Sequence, residues 1–133
     1  MLNTRFRRVV ASAGTLAGVA CGVATAQPYA SENVEFLGRV PLSGVPSPQS
    51  AGNDCWGYVS GSGREYAIMG MQSSFVFVEV TDPQNPQVVY QHSGPSSTWR
   101  DIKVFGTYAY GVTEGGGGIY VYNMADIDNG NVS

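Results

Sequence analysis

The sequence predicts an all-β protein: two four-stranded antiparallel blade-like units of an incomplete β-propeller, preceded by a signal-peptide helix. Three observations point there. Beyond Ala26 no stretch carries apolar residues at the i, i+3, i+4 spacing of an amphipathic helix. Short runs of Val, Ile, Tyr and Phe are instead bounded by Gly, Pro, Asn, Asp and Ser, the punctuation of strands and turns. The series of runs also occurs twice, at a spacing of roughly 40–50 residues, the period of a four-stranded propeller blade.

The first element is an address. Arg5, Arg7 and Arg8 form a basic start, Val9 to Val23 is uncharged and apolar, and Ala24-Thr25-Ala26 has the small-x-small pattern of a cleavage site. Residues 1–26 therefore read as a secretory signal peptide. The apolar run of about 15 residues is shorter than the roughly 20 that a membrane-spanning helix needs; an uncleaved anchor is the alternative. Arg7-Arg8 faintly resembles a twin-arginine export signal, and Gly18-Val19-Ala20-Cys21 a lipoprotein site. The residues flanking the arginines fit poorly, and Gly18 stands where a lipoprotein site has a bulky apolar residue. The expected destination is the cell exterior or cell surface, with the periplasm as the other option, and no transmembrane span is expected in the mature chain.

Residues 27–133 are then a partial β-propeller, with units at about 33–81 and 85–126. Strands are expected at Val34–Val40, Asp54–Val59, Glu65–Met71 and Phe75–Thr81 in the first unit. The second unit supplies Gln87–His92, Asp101–Phe105, Tyr108–Thr113 and Ile119–Met124. The two series match: Asn33-Val34-Glu35-Phe36-Leu37 with Asn85 to Val89, Asn53 to Tyr58 with Arg100 to Phe105, Arg64 to Ala67 with Gly106 to Ala109, and Phe77 to Val80 with Tyr120 to Asn123. Phe75-Val76-Phe77-Val78 is apolar on both faces, as a strand sandwiched between stacked sheets should be. Gly61-Ser62-Gly63 is a hairpin turn, and Pro83 and Pro86 stop the strand before the next unit because they withhold backbone donors. Two units do not close a ring of four to eight blades, so a fragment of a longer propeller is expected; a standalone β-sandwich of about eight strands is the alternative.

Charge narrows the partners. Of 133 residues, 7 are Lys or Arg and 10 are Asp or Glu. Loss of the leader leaves Arg39, Arg64, Arg100 and Lys103, four bases against ten acids, a net charge of −6. Such a surface with no basic stripe argues against nucleic acid. Of the 2 cysteines only Cys55 stays in the mature chain, so no internal disulfide forms. Cys55 is expected to be a buried small hydrophobe.

Phe75-Val76-Phe77-Val78-Glu79-Val80-Thr81-Asp82-Pro83, followed by Gln84-Asn85-Pro86, resembles the LVIVD repeat of bacterial and archaeal surface proteins. The wider pattern resembles the choice-of-anchor B family. It contains Asn53-Asp54-Cys55-Trp56-Gly57, Gly63-Arg64-Glu65-Tyr66-Ala67, Thr81 to Pro86, and Trp99-Arg100-Asp101-Ile102-Lys103-Val104, in that order. The resemblance implies an exported, surface-associated β-propeller with an anchoring tail, and it implies no activity. No such tail stands here, again consistent with a fragment, and Tyr120 to Asp126 lacks the Asp-Pro-x-Asn-Pro turn.

Candidate chemistry is sparse. His92, the only histidine, falls at a strand end and reads as a loop residue. Asp54 and Asp101 each open a strand at matching places; such acids bind backbone N–H groups in turns or, ringed about a channel, a cation. Arg100 is placed to form a bidentate pair with another blade's carboxylate. Trp56 and Trp99 are expected in the core between blades, the alternative being exposed ligand platforms. Asp82 and Pro83 hold the turn between units. Asp126-Ile127-Asp128-Asn129-Gly130 has a flavour of a calcium loop, but its glycine comes one residue early and ordinary turn chemistry explains it. Glu114 to Gly118 lacks the Lys-Ser/Thr and helix start of a phosphate loop. The weak cation candidates are thus Asp54, Asp101, Asp126 and Asp128, with calcium as the ion. No residue is assigned to catalysis or to a bound cofactor. The expected function is structural or recognitive, with loops contacting a protein or glycan at the cell surface; the alternative is an exported hydrolase or lyase.

Overall fold

The computed structural model describes residues 33–45, 49 and 51–133, and the expected signal peptide lies outside them. Seven strands follow in order: β1 Gly52–Val59, β2 Glu65–Met71, β3 Ser74–Glu79, β4 Gln87–Ser93, β5 Arg100–Phe105, β6 Tyr108–Thr113 and β7 Tyr120–Asn123. They form two antiparallel sheets, β1-β2-β3-β4 and β5-β6-β7, each with its strands in chain order. The helical elements among the described residues are two single 3-10 turns, Leu42–Gly44 and Ile127–Asn129. No helix among the described residues is long and apolar enough to cross a membrane.

Local sequence explains the meander. Two residues, Gln72 and Ser73, separate β2 from β3, and Gly106-Thr107 separates β5 from β6, with Gly106 at φ 58° where a left-handed turn favours glycine. The β1–β2 turn closes by Ser60 N–H to Arg64 O at 2.9 Å and Gly63 N–H to Ser60 O at 3.0 Å. In the turn after β3, Asp82 accepts hydrogen bonds from Gln84 N–H and Asn85 Nδ2, and Pro83 and Pro86 end the ladder. The chain thereby reverses, and the next strand pairs with the one it has just left.

That reversal corrects two strand assignments. Gln87–Ser93, expected to open the second series, is hydrogen-bonded to β3 and completes the first sheet. Val34–Val40 forms no strand; it runs over the outer face of the first sheet, so close to the Asp82 turn that a Cβ on Gly38 would lie 2.4 Å from Pro83 O. β4 already occupies the edge of β3, and strand propensity makes no strand without a paired neighbour. The second sheet has three strands.

The ladders define which residues correspond. Trp56, Ile68 and Phe77 form one row across the first sheet, and Lys103, Tyr110 and Val121 form the same row across the second. The neighbouring rows are Tyr58–Tyr66–Glu79 and Phe105–Tyr108–Asn123. Phe77 thus corresponds to Val121 rather than to Tyr120. The shift arises because the β6–β7 connection, rich in glycine from Gly115 to Gly118, is longer than the β2–β3 turn.

The core lies between the sheets. Tyr66, Ile68, Phe75 and Phe77 of the first sheet meet Ile102, Ala109 and Tyr122 of the second, with Met124 and Ile127 closing one end. The Phe77 ring stands edge-on to Tyr122 at 5.2 Å between centroids and to Tyr90 at 5.5 Å. Gly111 is glycine for a packing reason: a Cβ there would lie 2.6 Å from the Phe75 ring. In β3, Phe75, Val76 and Phe77 are all buried, so this strand is covered on both faces as its unbroken apolar run predicts.

Candidate functional site

β1 and β5, the first strands of the two sheets, lie side by side and carry most of the residues singled out above. Asp54 sits at an irregularity in β1 between Gly52 and Cys55, with φ 58°, a left-handed conformation that Asp tolerates better than most side chains. The irregularity turns the Asn53-Asp54 pair toward the second sheet. Asp54 Oδ2 accepts the Ile102 N–H at 2.6 Å and Asn53 Oδ1 accepts the Arg100 N–H at 3.2 Å. Two adjacent side chains of one sheet therefore fasten the first backbone donors of the other.

Asp101, at the matching place in the second sheet, does something different. Its carboxylate takes a hydrogen bond from Lys103 Nζ at 2.5 Å, and the same Nζ lies 3.8 Å from Asp54 Oδ2 and 4.7 Å from the centroid of the Trp56 ring. The ammonium thus occupies the place between the two acids that a bound cation would take. Lys103 chiefly, with Asp54, holds the Asp101 carboxyl below the usual carboxylate range, and Asp101 raises the lysine in return. Among the described residues, no three His, Cys, Asp or Glu side chains are grouped to share a metal ion.

Among the described residues, Arg100 forms no pair with a carboxylate. It is buried, 4.8 Å from the Phe75 ring centroid, and spans three backbone carbonyls: Nε donates to Met71 O at 2.5 Å, and Nη2 to Gln72 O at 3.1 Å and Pro95 O at 2.5 Å. The guanidinium ties the β2–β3 turn to the connection that leads into β5. Burial lowers its pKa from the ordinary arginine value.

Trp56 and Trp99 are not core residues; they are 41% and 61% exposed. Trp56 belongs to the row of Ile68 and Phe77, but its strand lies at the sheet edge and the side chain opposite is the hydrophilic Lys103. Trp99 precedes β5 and lines a cleft of about 300 Å³ with Asn53, Asp101 and Glu114. Cys55 is exposed too. Its counterpart Ile102 is buried because the first sheet covers that face of the second, whereas no sheet among the described residues covers the same face of the first. His92 is part of β4 rather than a loop. Its Nδ1 is 2.9 Å from the Tyr122 hydroxyl, and its ring packs edge-on against Tyr120 and Tyr122.

The Asp126 loop is built much like the Asp82 turn. Asp126 accepts from Asn129 Nδ2 and Asn131 Nδ2 as Asp82 accepts from Asn85 Nδ2, and in both turns the Asn stands three residues after the Asp. These donors hold both aspartates below the usual carboxylate range, Asn85 foremost for Asp82 and Asn131 for Asp126. Gly130 closes the loop at φ 78°, and Ser133 exchanges backbone hydrogen bonds with Asn123.

Asp128 points the other way, into the first sheet. Its carboxylate accepts from Tyr66 Oη at 2.7 Å, Ser62 Oγ at 2.7 Å and Ser60 Oγ at 3.1 Å, and its carbonyl accepts from Arg64 Nη1 at 2.6 Å. Arg64 also holds Glu79 through Nε at 2.8 Å and Nη2 at 2.5 Å. The Tyr66 hydrogen bond foremost depresses Asp128, while burial foremost, then Asp128, pushes the Tyr66 phenol well above its ordinary value. The sequence reading missed this strap; Asp-x-x-Asn at 82–85 and again at 126–129 signals the two turns but not the reach of Asp128 to the first sheet.

The chain matches no protein-family model, no curated protein and no solved structure.

Proposed function

We propose that this chain is a secreted or cell-surface interaction module of β-propeller type, of the choice-of-anchor B kind, in which blade-like sheets support a recognition surface for a protein or glycan. The observation that carries the reading is the exposure of Trp99, just before the first strand of the second sheet, in a cleft with Asn53, Asp101 and Glu114, with Trp56 also exposed on the first strand of the first sheet. An indole face with hydrogen-bonding carboxylates and amides at its rim suits a polyhydroxylated ligand, since it offers apolar area and directional acceptors together. The repeated Asp-x-x-Asn turn supports the kinship with repeat proteins. His92 is engaged with Tyr122 in the inter-sheet layer, which favours recognition over a histidine-dependent hydrolase.

The test is a glycan array probed with the labelled full chain. Trp99→Ala is expected to abolish the signal, and Phe105→Ala, a still more exposed ring outside the cleft, to leave it unchanged. Binding that survives Trp56→Ala and Trp99→Ala together would remove the reading. Turnover of chromogenic esters or glycosides, lost in Asp54→Asn and Asp101→Asn, would establish the exported hydrolase or lyase instead.

A further inference from the structure

We propose that the buried Arg100 guanidinium holds a small monovalent anion, chloride or a carboxylate group, between its Nη1 and the Tyr120 hydroxyl. The inference does not depend on a ligand at Trp99.

Charge is the starting point. Arg100 is 4% exposed. Its partners are the neutral carbonyls of Met71, Gln72 and Pro95 and the face of the Phe75 ring. Among the described residues, no carboxylate lies within ion-pair distance of it, and Nη1 has no hydrogen-bond partner. A buried cation is costly unless it is both paired and hydrogen-bonded. Water at Nη1 would satisfy the donor and leave the charge uncompensated, whereas an anion answers both needs.

The free nitrogen borders a defined place. A Cβ on Gly94 would stand 3.8 Å from Arg100 Nη1 and 3.5 Å from Tyr120 Oη, so both donors meet beside Gly94. The Tyr120 hydroxyl is fixed there. Gly117, at φ 91°, lies so close to it that no side chain fits, and the Tyr120 ring packs against Phe75 and His92 at 5.4 Å between centroids. Gly94 N–H donates to Ser73 O at 2.9 Å and Pro95 O accepts from Nη2, which ties this connection to the β2–β3 turn and to the guanidinium. Gly94 and Tyr120 are half-buried, which gives an ion a way in from solvent. A guanidinium N–H edge and one hydroxyl suit a single negative charge with few acceptor sites. A phosphate would bring more charge and oxygens than these donors can satisfy, against the apolar Phe75 ring. The chain's own net charge of −3 opposes anions, so dissociation on the order of 10 mM is expected.

Thermal melting of the full chain at constant ionic strength tests this, with a bulky organic sulfonate replaced stepwise by chloride or, separately, by formate. At about 100 mM of the small anion the melting temperature is expected to rise by on the order of 5–10 °C. Gly94→Ala places a methyl group against both donors, and its backbone lies outside the left-handed region, so the fold is kept. That variant should lose most of the rise, and Tyr120→Phe, which keeps the ring, about half of it. A rise with both anions assigns the site to any small monoanion, and a rise with formate alone assigns it to a carboxylate. Crystals grown in bromide should show an anomalous peak within hydrogen-bonding distance of Nη1 and the Tyr120 hydroxyl. A rise of equal size in wild type, Gly94→Ala and Tyr120→Phe would overturn the proposal, since it would be a general salt effect. So would a bromide crystal with a water at Nη1 and no anomalous signal there.

Discussion

The two sheets use one row pattern and bury it differently. In the first, the row Ile68–Phe77 lies under the second sheet, and Val76 on the opposite face is only 2% exposed. In the second, Tyr110–Val121 faces outward while Ile102 and Ala109 on the reverse are buried. The difference comes from which faces have a neighbour, not from strand propensity, which is similar in both. Burial in a stacked-sheet protein is a property of position in the stack.

The sharpest way to break this comparison is to truncate corresponding residues. Phe77→Ala removes a ring packed edge-on against Tyr90 and Tyr122 in the closed layer. It should cost about 3–5 kcal/mol. Val121→Ala, its counterpart on the open face, should change stability by less than about 0.5 kcal/mol. Urea unfolding followed by tryptophan fluorescence, compared at constant slope, reads both. Equal losses would mean that the second sheet is covered in solution as fully as the first.

The next comparison sets Asp54 against Asp101. Asp54→Ala deprives the Ile102 N–H of a charged acceptor at the junction of the sheets and places alanine at φ 58°. The expected loss is about 1.5–3 kcal/mol, the range for hydrogen bonds to charged groups. Asp54→Asn keeps an acceptor and tolerates the left-handed backbone, so it should recover most of that. Asp101→Ala removes only an exposed partner of Lys103, and its small effect should disappear in high salt. The same unfolding curves, with and without salt, decide whether Asp54 rather than Asp101 helps to fasten the two sheets.

How much of this was legible in the sequence follows the same division between local and neighbour-dependent facts. The strands from Asp54 to Thr113 were legible because alternation and turn residues are local, and Phe75 to Val78 announced its double burial by being apolar throughout. The pairing of Gln87–Ser93 with β3 was not, because a strand's sheet depends on where its turn directs it. Trp56, Trp99 and Cys55 looked like core residues by type, but each lies at a place that no second sheet covers. The acids at 54 and 101 were found as a matching pair. Their opposite roles depend on the irregularity in β1 and on Lys103, neither of which is visible from spacing. The strap from Asp128 to Tyr66 joins residues far apart in the chain, beyond the reach of any local pattern.

That strap allows a finer comparison, between Tyr66 and its counterpart Tyr108. Tyr66→Phe removes one of three hydroxyl donors to Asp128, so a loss of about 1 kcal/mol is expected. Tyr108→Phe, on the open face, should be neutral within error. Thermal melting of the two variants in parallel measures the difference, and a neutral Tyr66→Phe would show that the serine hydroxyls suffice to hold the loop.

The smallest effect expected is in acid, and it too separates the regions. Asp82 in the first turn, Asp126 and Asp128 in the second, and Asp101 at the sheet junction are all depressed below the ordinary carboxylate value. A carboxylate whose folded pKa is depressed contributes stability that is fully present above its unfolded value, about 3.9, and is lost as the pH falls through the folded value. The melting temperature should therefore hold level from pH 7 to about 5 and fall only below about 4, where the unfolded chain takes up protons first. All four groups are solvent-accessible, so each contributes little and the decline is shallow. Asp128→Asn should flatten it more than the same change at Asp82, because Asp128 joins the two sheets while Asp82 closes a turn within one unit. A melting temperature that already falls between pH 7 and 5.5 would mean that a group other than these carboxylates governs stability. An acid slope unchanged by Asp128→Asn would show that the strap is held by Arg64 and the Asp128 carbonyl alone.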